Sequence, residues 1–330
     1  MSAVPAFRVT LGGRDLTPRI RPRLVSLTLS EKRGEEADQL DLVLDDTDGR
    51  LDLPPDGATL SVAIGWAGGV GVAAGLVDKG RFTVSSVEHA GPPDLVTIRA
   101  RAADFTGDLK VRREKSWRGT TLGAIVAEVA GRHGLKPRCA PKLAGIAVVA
   151  KAQSRESDLA FLRRLGREHD AVATIKRGVL ILSPVGAGVT PSGRPLPSVT
   201  IRRGDGDRHG FTREKREEVG GVTASWHDRR GAEKRAVTVG EERGAKKLSR
   251  TYATEADARA AAAAAKGRAA RQPVSLSLTL ALGRPDLYPE QRATVAGFKP
   301  VIDATPWLVA EVTHSITDRG FTTALKLESA

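Results

Sequence analysis

The chain has 330 residues, 40% of them hydrophobic and 28% charged, with a formal net charge of +13, which suffices for packed cores in two or three domains. Its one cysteine, Cys139, excludes an intramolecular disulfide and a multi-cysteine metal site, and no window approaches the roughly 20 apolar residues of a membrane span. The basic balance would suit nucleic acid or another acidic partner, but aromatics are only 4% of the chain and cannot supply the interleaved stacking platform of a single-strand binder. Without a basic-then-apolar leader at Met1 to Thr10, the expected place of synthesis and folding is the cytosol.

Residues 1–108 read as β structure. Val25, Leu27 and Leu29, then Leu40, Leu42 and Leu44, then Leu60, Val62, Ile64 and Trp66 recur at period two, the spacing of half-buried strands. Turn chemistry separates them at Leu11-Gly12-Gly13, Lys32-Arg33-Gly34, Asp45 to Gly49 and Pro54 to Gly57. Short strands at this spacing predict a sandwich or small barrel.

Residues 109–185 change character. Lys110, Arg112, Arg113, Lys115 and Arg118 form a dense basic cluster with one aromatic, Trp117. Thr120 or Thr121 is placed to cap a helix with an apolar stripe of Leu122, Ile125, Val126 and Val129, ended at Gly134. Lys136 to Ala150 reads as a connection. It leads into the stretch Gln153-Ser154-Arg155-Glu156-Ser157-Asp158-Leu159-Ala160-Phe161-Leu162-Arg163-Arg164-Leu165, which we take as the pivot of the molecule. Ser154 or Ser157 is placed to cap its helix, Glu156 and Asp158 to fall in the first turn, and Phe161, Leu162 and Leu165 to be buried. Ala171–Ile175 and Val179–Leu182 around Lys176-Arg177-Gly178 predict a hairpin closing a small α/β domain.

Residues 186–330 open with a Pro- and Gly-rich linker to Pro197. Strands are expected at 199–201, 222–226 and 237–239, and Thr254-Glu255-Ala256-Asp257 resembles a capping box. It should start an alanine-rich helix at about 254–271, lying flat against a sheet and stopped by Pro273. Leu276, Leu278, Leu280 and Leu282 then alternate, and two more strands follow. Phe82, Val84, Val87 and His89 share offsets with Trp307, Val309, Val312 and His314. That internal repeat predicts two related β-barrels, residues 1–108 and 186–330, bracketing the α/β domain in a mainly β, α+β chain.

Familiar chemistry is absent from the sequence. Gly69 to Ala74 fits a dinucleotide fingerprint, but no helix follows to receive a pyrophosphate. Asp46, Asp48 and Gly49 lack the flanking ligands of a calcium loop. His89 and His314 read as polar residues at strand ends, not a metal pair. With no H-E-x-x-H, G-x-S-x-G or P-loop, no enzyme, catalytic residue, cofactor or metal is expected.

The run Q-S-x-E-S-D-x-x-F-L-x-R-L at Gln153 to Leu165 resembles the central motif of the phage late control gene D proteins, the tail hubs of contractile phages, related to the hub part of type VI secretion VgrG proteins. Gly13-Arg14-Asp15-Leu16-Thr17-Pro18, Ala37 to Leu40 with Leu44-Asp45-Asp46, Gly65-Trp66, Gly221 to Trp226, Tyr252 and Trp307 to His314 match further motifs of that family. The resemblance implies a structural baseplate hub and a trimeric ring, a symmetry adapter joining a trimeric tail spike to the hexameric tail tube. It implies baseplate wedge and tape-measure proteins as further partners, no membrane partner, and nucleic acid only in transit. It also implies synthesis in the host bacterial cytoplasm and a place in the virion or tail-like particle. Arg112, Arg113, Lys115 and Arg118 are then a candidate assembly surface. Nucleic-acid binding, or a hub with cell-wall hydrolase activity, are the alternatives.

Overall fold

The computed structural model describes the chain except residues 1, 35–36, 56, 103–106, 177, 191–193, 214–219, 229–230 and 272–273. Strand accounts for 55% of the chain and helix for 19%, so the mainly β, α+β expectation holds. Two units emerge from the packing: Met1–Phe105 with Pro197–Phe211 and Leu276–Leu327, and Thr106–Leu196 with Thr212–Ser275 and Glu328–Ala330.

The first unit is built on the period-two leucines. Leu27 pairs with Leu42 and Leu29 with Leu40 between Leu24–Lys32 and Gln39–Asp45, and Leu42 and Leu40 meet Ile98 and Ala100 on Leu95–Ala102. Every one of these but Ile98 is essentially inaccessible, because alternate side chains of a pleated strand share one face. The sheet continues through Gly75–Ala90, Thr59–Gly68 and Val4–Leu11 to Arg14–Asp15. In the other direction it runs through Trp307–Thr317, Gly320–Ser329 and Val274–Leu280 to Gly206–Arg213, with Arg292–Ala296 and Val199–Arg202 branching off Trp307–Thr317.

The two β halves therefore belong to one thirteen-stranded sheet. Leu24–Lys32 is hydrogen-bonded to Trp307–Thr317 along its length, with Leu29 opposite His314 and Ser30 opposite Thr313. Among the described residues no pairing closes either half into a separate barrel. Residues 186–330 are also not one body, since 212–275 pack with the α/β residues. Alternation reports which face of a strand is buried but not which distant strand lies beside it, and that limit underlies both differences.

Several sequence motifs act as joints in this unit. A Cβ at Gly65 would stand 1.9 Å from the Gly75 carbonyl oxygen, so only glycine lets those strands approach. The neighbouring Trp66 donates from Nε1 to the Gly283 carbonyl at 2.9 Å and lies 5.2 Å from the Phe321 ring. Thr17 Oγ1 accepts from the Val9 amide at 3.0 Å and Asp15 from the Thr17 amide at 2.8 Å. Asp46 braces its turn by accepting from the Leu51 amide at 2.9 Å, while Asp48 takes a two-pronged bond from Arg23. Both carboxylates brace the turn.

In the second unit Arg112–Thr121 pairs antiparallel with Ala147–Ser157. Ala171–Lys176 and Val179–Pro184 form the expected hairpin. Lys136–Cys139 joins it in parallel, followed by a short helix Pro141–Ala144. The sequence reading of 136–150 as a bare connection thus missed two strands and a turn of helix, which Pro137, Pro141 and Gly145 had obscured. Gly221–Asp228 lies between Glu233–Gly240 and Lys246–Tyr252. The helix Glu255–Arg271 covers this sheet with Ala258, Ala261 and Ala262, which bury against Val222, Ala224 and Val237. That stripe at three- and four-residue spacing packs closely because alanine adds little bulk. Pro273 lies outside the described residues.

Candidate functional site

The pivot stretch folds as the end of a strand and a helix, and nearly every residue of its signature has a partner. Gln153 to Ser157 complete the strand Ala147–Ser157, and the helix is Asp158–Glu168. Ser157 is the cap, accepting from the Ala160 amide at 3.2 Å. Glu156 thus precedes the helix instead of sitting in its first turn, and it receives the Arg164 guanidinium on both oxygens at 2.7 to 3.2 Å. Phe161, Leu162 and Leu165 are fully buried, as the spacing implied.

Asp158 is the electrostatic centre. It is inaccessible to solvent and accepts at 2.8 Å from Gln153 Nε2, from Arg132 Nη1 and from His133 Nε2, with Arg113 Nε at 3.3 Å. Burial would push its carboxyl up, but the hydrogen bonds from Gln153, His133 and Arg132 outweigh burial and hold its pKa below the ordinary value. Arg132 and His133 come from the end of the helix Leu122–Arg132, which Thr121 caps as expected. The first and last polar letters of Q-S-x-E-S-D therefore bind each other and tie two helices together.

The basic cluster divides by strand alternation. Arg113, Lys115 and Trp117 face inward, while Arg112 and Arg118 are exposed. Arg113 serves Asp158; Lys115 pairs with Glu128 and lies 4.0 Å over the Trp117 ring. The four cations named as a candidate assembly surface do not share one face.

Two further buried polar groups escaped the sequence reading. In the second unit Lys151 Nζ bonds Glu168 at 2.6 Å and Asp257 at 3.1 Å, joining the signature helix to the start of the alanine helix, where Thr254 Oγ1 accepts from the Asp257 amide at 3.1 Å. Burial and the Lys151 charge lower the pKa of the adjacent His169. In the first unit Lys79 Nζ bonds Glu31 at 2.7 Å and stands 3.9 Å over the Tyr288 ring. His314, far from being a strand-end residue, is wholly buried beside Glu31 at 3.4 Å, with Nδ1 at 2.9 Å from Thr323 Oγ1. Burial and the Lys79 charge depress its pKa. Its counterpart His89 is exposed, 3.6 Å from Asp46. Among the described residues no cluster of His, Cys, Asp and Glu could hold a metal, and no helix is long and apolar enough to cross a membrane.

This fold, a thirteen-stranded β sheet and an α/β unit with a signature helix, is shared by solved tail proteins. The 43 kDa tail protein of prophage MuSo2 from Shewanella oneidensis shares it at a TM-score of 0.71 and 15% identity, covering 97% of each chain. A component of the type VI secretion system from E. coli shares it at a TM-score of 0.54 and 14% identity, covering 98% of this chain and 76% of that one. In sequence, the probable baseplate hub protein of Escherichia phage 186 is 41% identical, covering 99% of this chain and 93% of that protein. The chain belongs to the phage tail baseplate hub (GPD) family, whose model matches residues 39–320. It is a baseplate hub of a phage tail, and neither the nucleic-acid nor the hydrolase alternative gains support.

Proposed function

We propose that this hub acts as a homotrimeric symmetry adapter, joining a trimeric tail spike on one side to the hexameric tail tube on the other, with baseplate wedge and tape-measure proteins as neighbours. The observation that supports it is a pair of hairpins in one sheet that share part of their burial pattern. Phe82 and Val84 on one are buried like Trp307 and Val309 on the other, and each of the two strands is followed along the sheet by the next strand in sequence. Three copies of a chain with two such modules present six similar modules around one axis, which suits both threefold and sixfold partners. The role is structural, without catalysis or cofactor, and the chain is made in the host cytoplasm before joining the particle. The exposed Arg112 and Arg118 form the outward part of the assembly surface. Light scattering on the purified chain with its spike partner is expected to give a mass of three copies per complex. Monomer alone at high concentration with spike present would overturn the adapter reading.

A further inference from the structure

On the solvent side of the signature helix's first turn, within the second unit, lies a groove of about 600 Å³, within the size range that receives a drug-sized ligand or a few peptide side chains. Its charged lining is Lys110, Arg112, Arg155, Glu156, Arg164 and Arg250, five cations against one carboxylate. That carboxylate is already engaged, since Glu156 holds Arg164 on both oxygens. Among the described residues Lys110 and Arg112 have no acidic partner. Arg250 reaches only to 3.9 Å of Glu168, and Arg155 to 3.9 Å of Glu114, with both of those last side chains mostly exposed. Like charges gathered in a concavity repel one another and raise the local concentration of anions.

The backbone presents this charge outward. Between Gln153 and Glu156 the ladder with Arg112–Thr121 slips, leaving Ser154 and Arg155 outside the register, and Arg155 takes a φ of +49°. A left-handed conformation is costly for a residue with a side chain, and here it accompanies an arginine side chain that is 86% exposed. The remaining lining residues, Ala152, Ser154, Ser157 and Ala160, are small. None is aromatic, so nucleobases would find no stacking surface, and none is a large apolar residue that would seat a hydrophobic anchor.

We propose that this groove docks an acidic peptide segment of a partner tail protein, whose Asp or Glu carboxylates seat on the guanidinium groups of Arg112, Arg155 and Arg250. Guanidinium forks bind carboxylates in two-pronged pairs, and an acidic peptide neutralises the groove without the aromatic stacking surface that a nucleic-acid strand would use. The partner's identity as a tail protein rests on the hub role; the chemistry of the groove does not.

The test is fluorescence anisotropy of the full-length chain with a labelled hexaglutamate peptide, compared with labelled hexathymidylate at low and moderate salt. Saturable binding of hexaglutamate is expected, weakened about tenfold or more by Arg112→Glu with Arg250→Glu, the loss appropriate to charge-assisted hydrogen bonds, and weakened in the same direction by Arg112→Gln with Arg250→Gln if the first variant fails to fold. Lys142→Glu, exposed in the same unit but outside the groove, should leave binding unchanged. Absence of saturable binding, equal loss in Lys142→Glu, or preference for hexathymidylate would overturn the proposal and leave the hub role standing. Absence of the wild-type chain from purified particles would instead strike the hub role.

Discussion

The rings of Trp117 and Phe161 stack with centroids 5.8 Å apart and planes 6° from parallel, so the strand that carries the basic cluster and the signature helix share one aromatic joint. Arg164 lies 5.0 Å from the other partner of that joint, the Phe161 ring, while also holding Glu156. Phe161→Ala would open a cavity beneath both contacts. It should destabilise the protein by about 3–5 kcal/mol, the range for a buried aromatic, read by urea or thermal unfolding. A variant that melts like the parent would show that the stack contributes nothing.

Asp158 gathers Arg132, His133, Gln153 and Arg113 around one inaccessible carboxylate. Asp158→Asn keeps the shape but leaves the partly exposed Arg132 and Arg113 without their counter-charge, a change expected to cost about 2 kcal/mol, below the range for a fully buried pair because solvent screens both guanidinium groups. The sign with pH follows from the depressed pKa. A carboxyl whose folded value lies below its unfolded value near 3.9 stabilises the fold above that pH and loses this contribution as pH falls through the folded value. The parent should therefore lose stability in acid below about pH 4 more steeply than Asp158→Asn, measured by denaturant titration at several pH values.

How much of this was legible in the sequence depends on whether the signal was local. The caps, each narrowed to two candidates of which Thr121 and Ser157 are the ones used, the buried stripe of Phe161, Leu162 and Leu165, the hairpin after it and the alanine face all follow from periodicity and capping, which act over a few residues. Glu31 with Lys79 and His314, or Lys151 with Glu168 and Asp257, were invisible because each joins residues distant along the chain, and a lone lysine in a strand carries no sign that its charge is buried. The basic run was legible as a cluster but not as two faces. Its alternation is readable only once Arg112–Thr121 is known to be a strand, because a run of cations carries no apolar periodicity to mark one.

The buried His314 and the half-buried His169 set a second pH dependence. Burial and Lys79 lower the pKa of His314, and burial and Lys151 lower that of His169. An imidazole whose folded pKa is below its unfolded value near 6.5 takes up its proton more readily in the unfolded chain, so stability is complete above about pH 6.5 and falls as pH drops. Thermal unfolding between about pH 7 and pH 5 should show a declining melting temperature. His314→Gln should make that decline shallower without abolishing it, because His169 still contributes. An unchanged slope would show that His314 does not titrate differently on folding.

Strand alternation makes the charge-reversal experiment discriminating. Arg113→Glu places a carboxylate beside Asp158, and Lys115→Glu one beside Glu128, so any reversal that includes them attacks the fold before it reaches assembly. For Arg113→Glu, whose side chain is partly exposed and therefore partly screened, a loss of about 2 kcal/mol or more is expected. Arg112→Glu with Arg118→Glu changes only outward side chains, and its unfolding midpoint should stay within about 0.5 kcal/mol of the parent. If the exposed face contacts an acidic baseplate neighbour, that outward pair should still lower incorporation into particles, and the deficit should be larger at low salt, where charge is less screened. Normal particle yields from the outward pair, beside a destabilised Arg113→Glu, would show that the basic run serves the fold through Asp158 and Glu128 and that its outer face is only solvated.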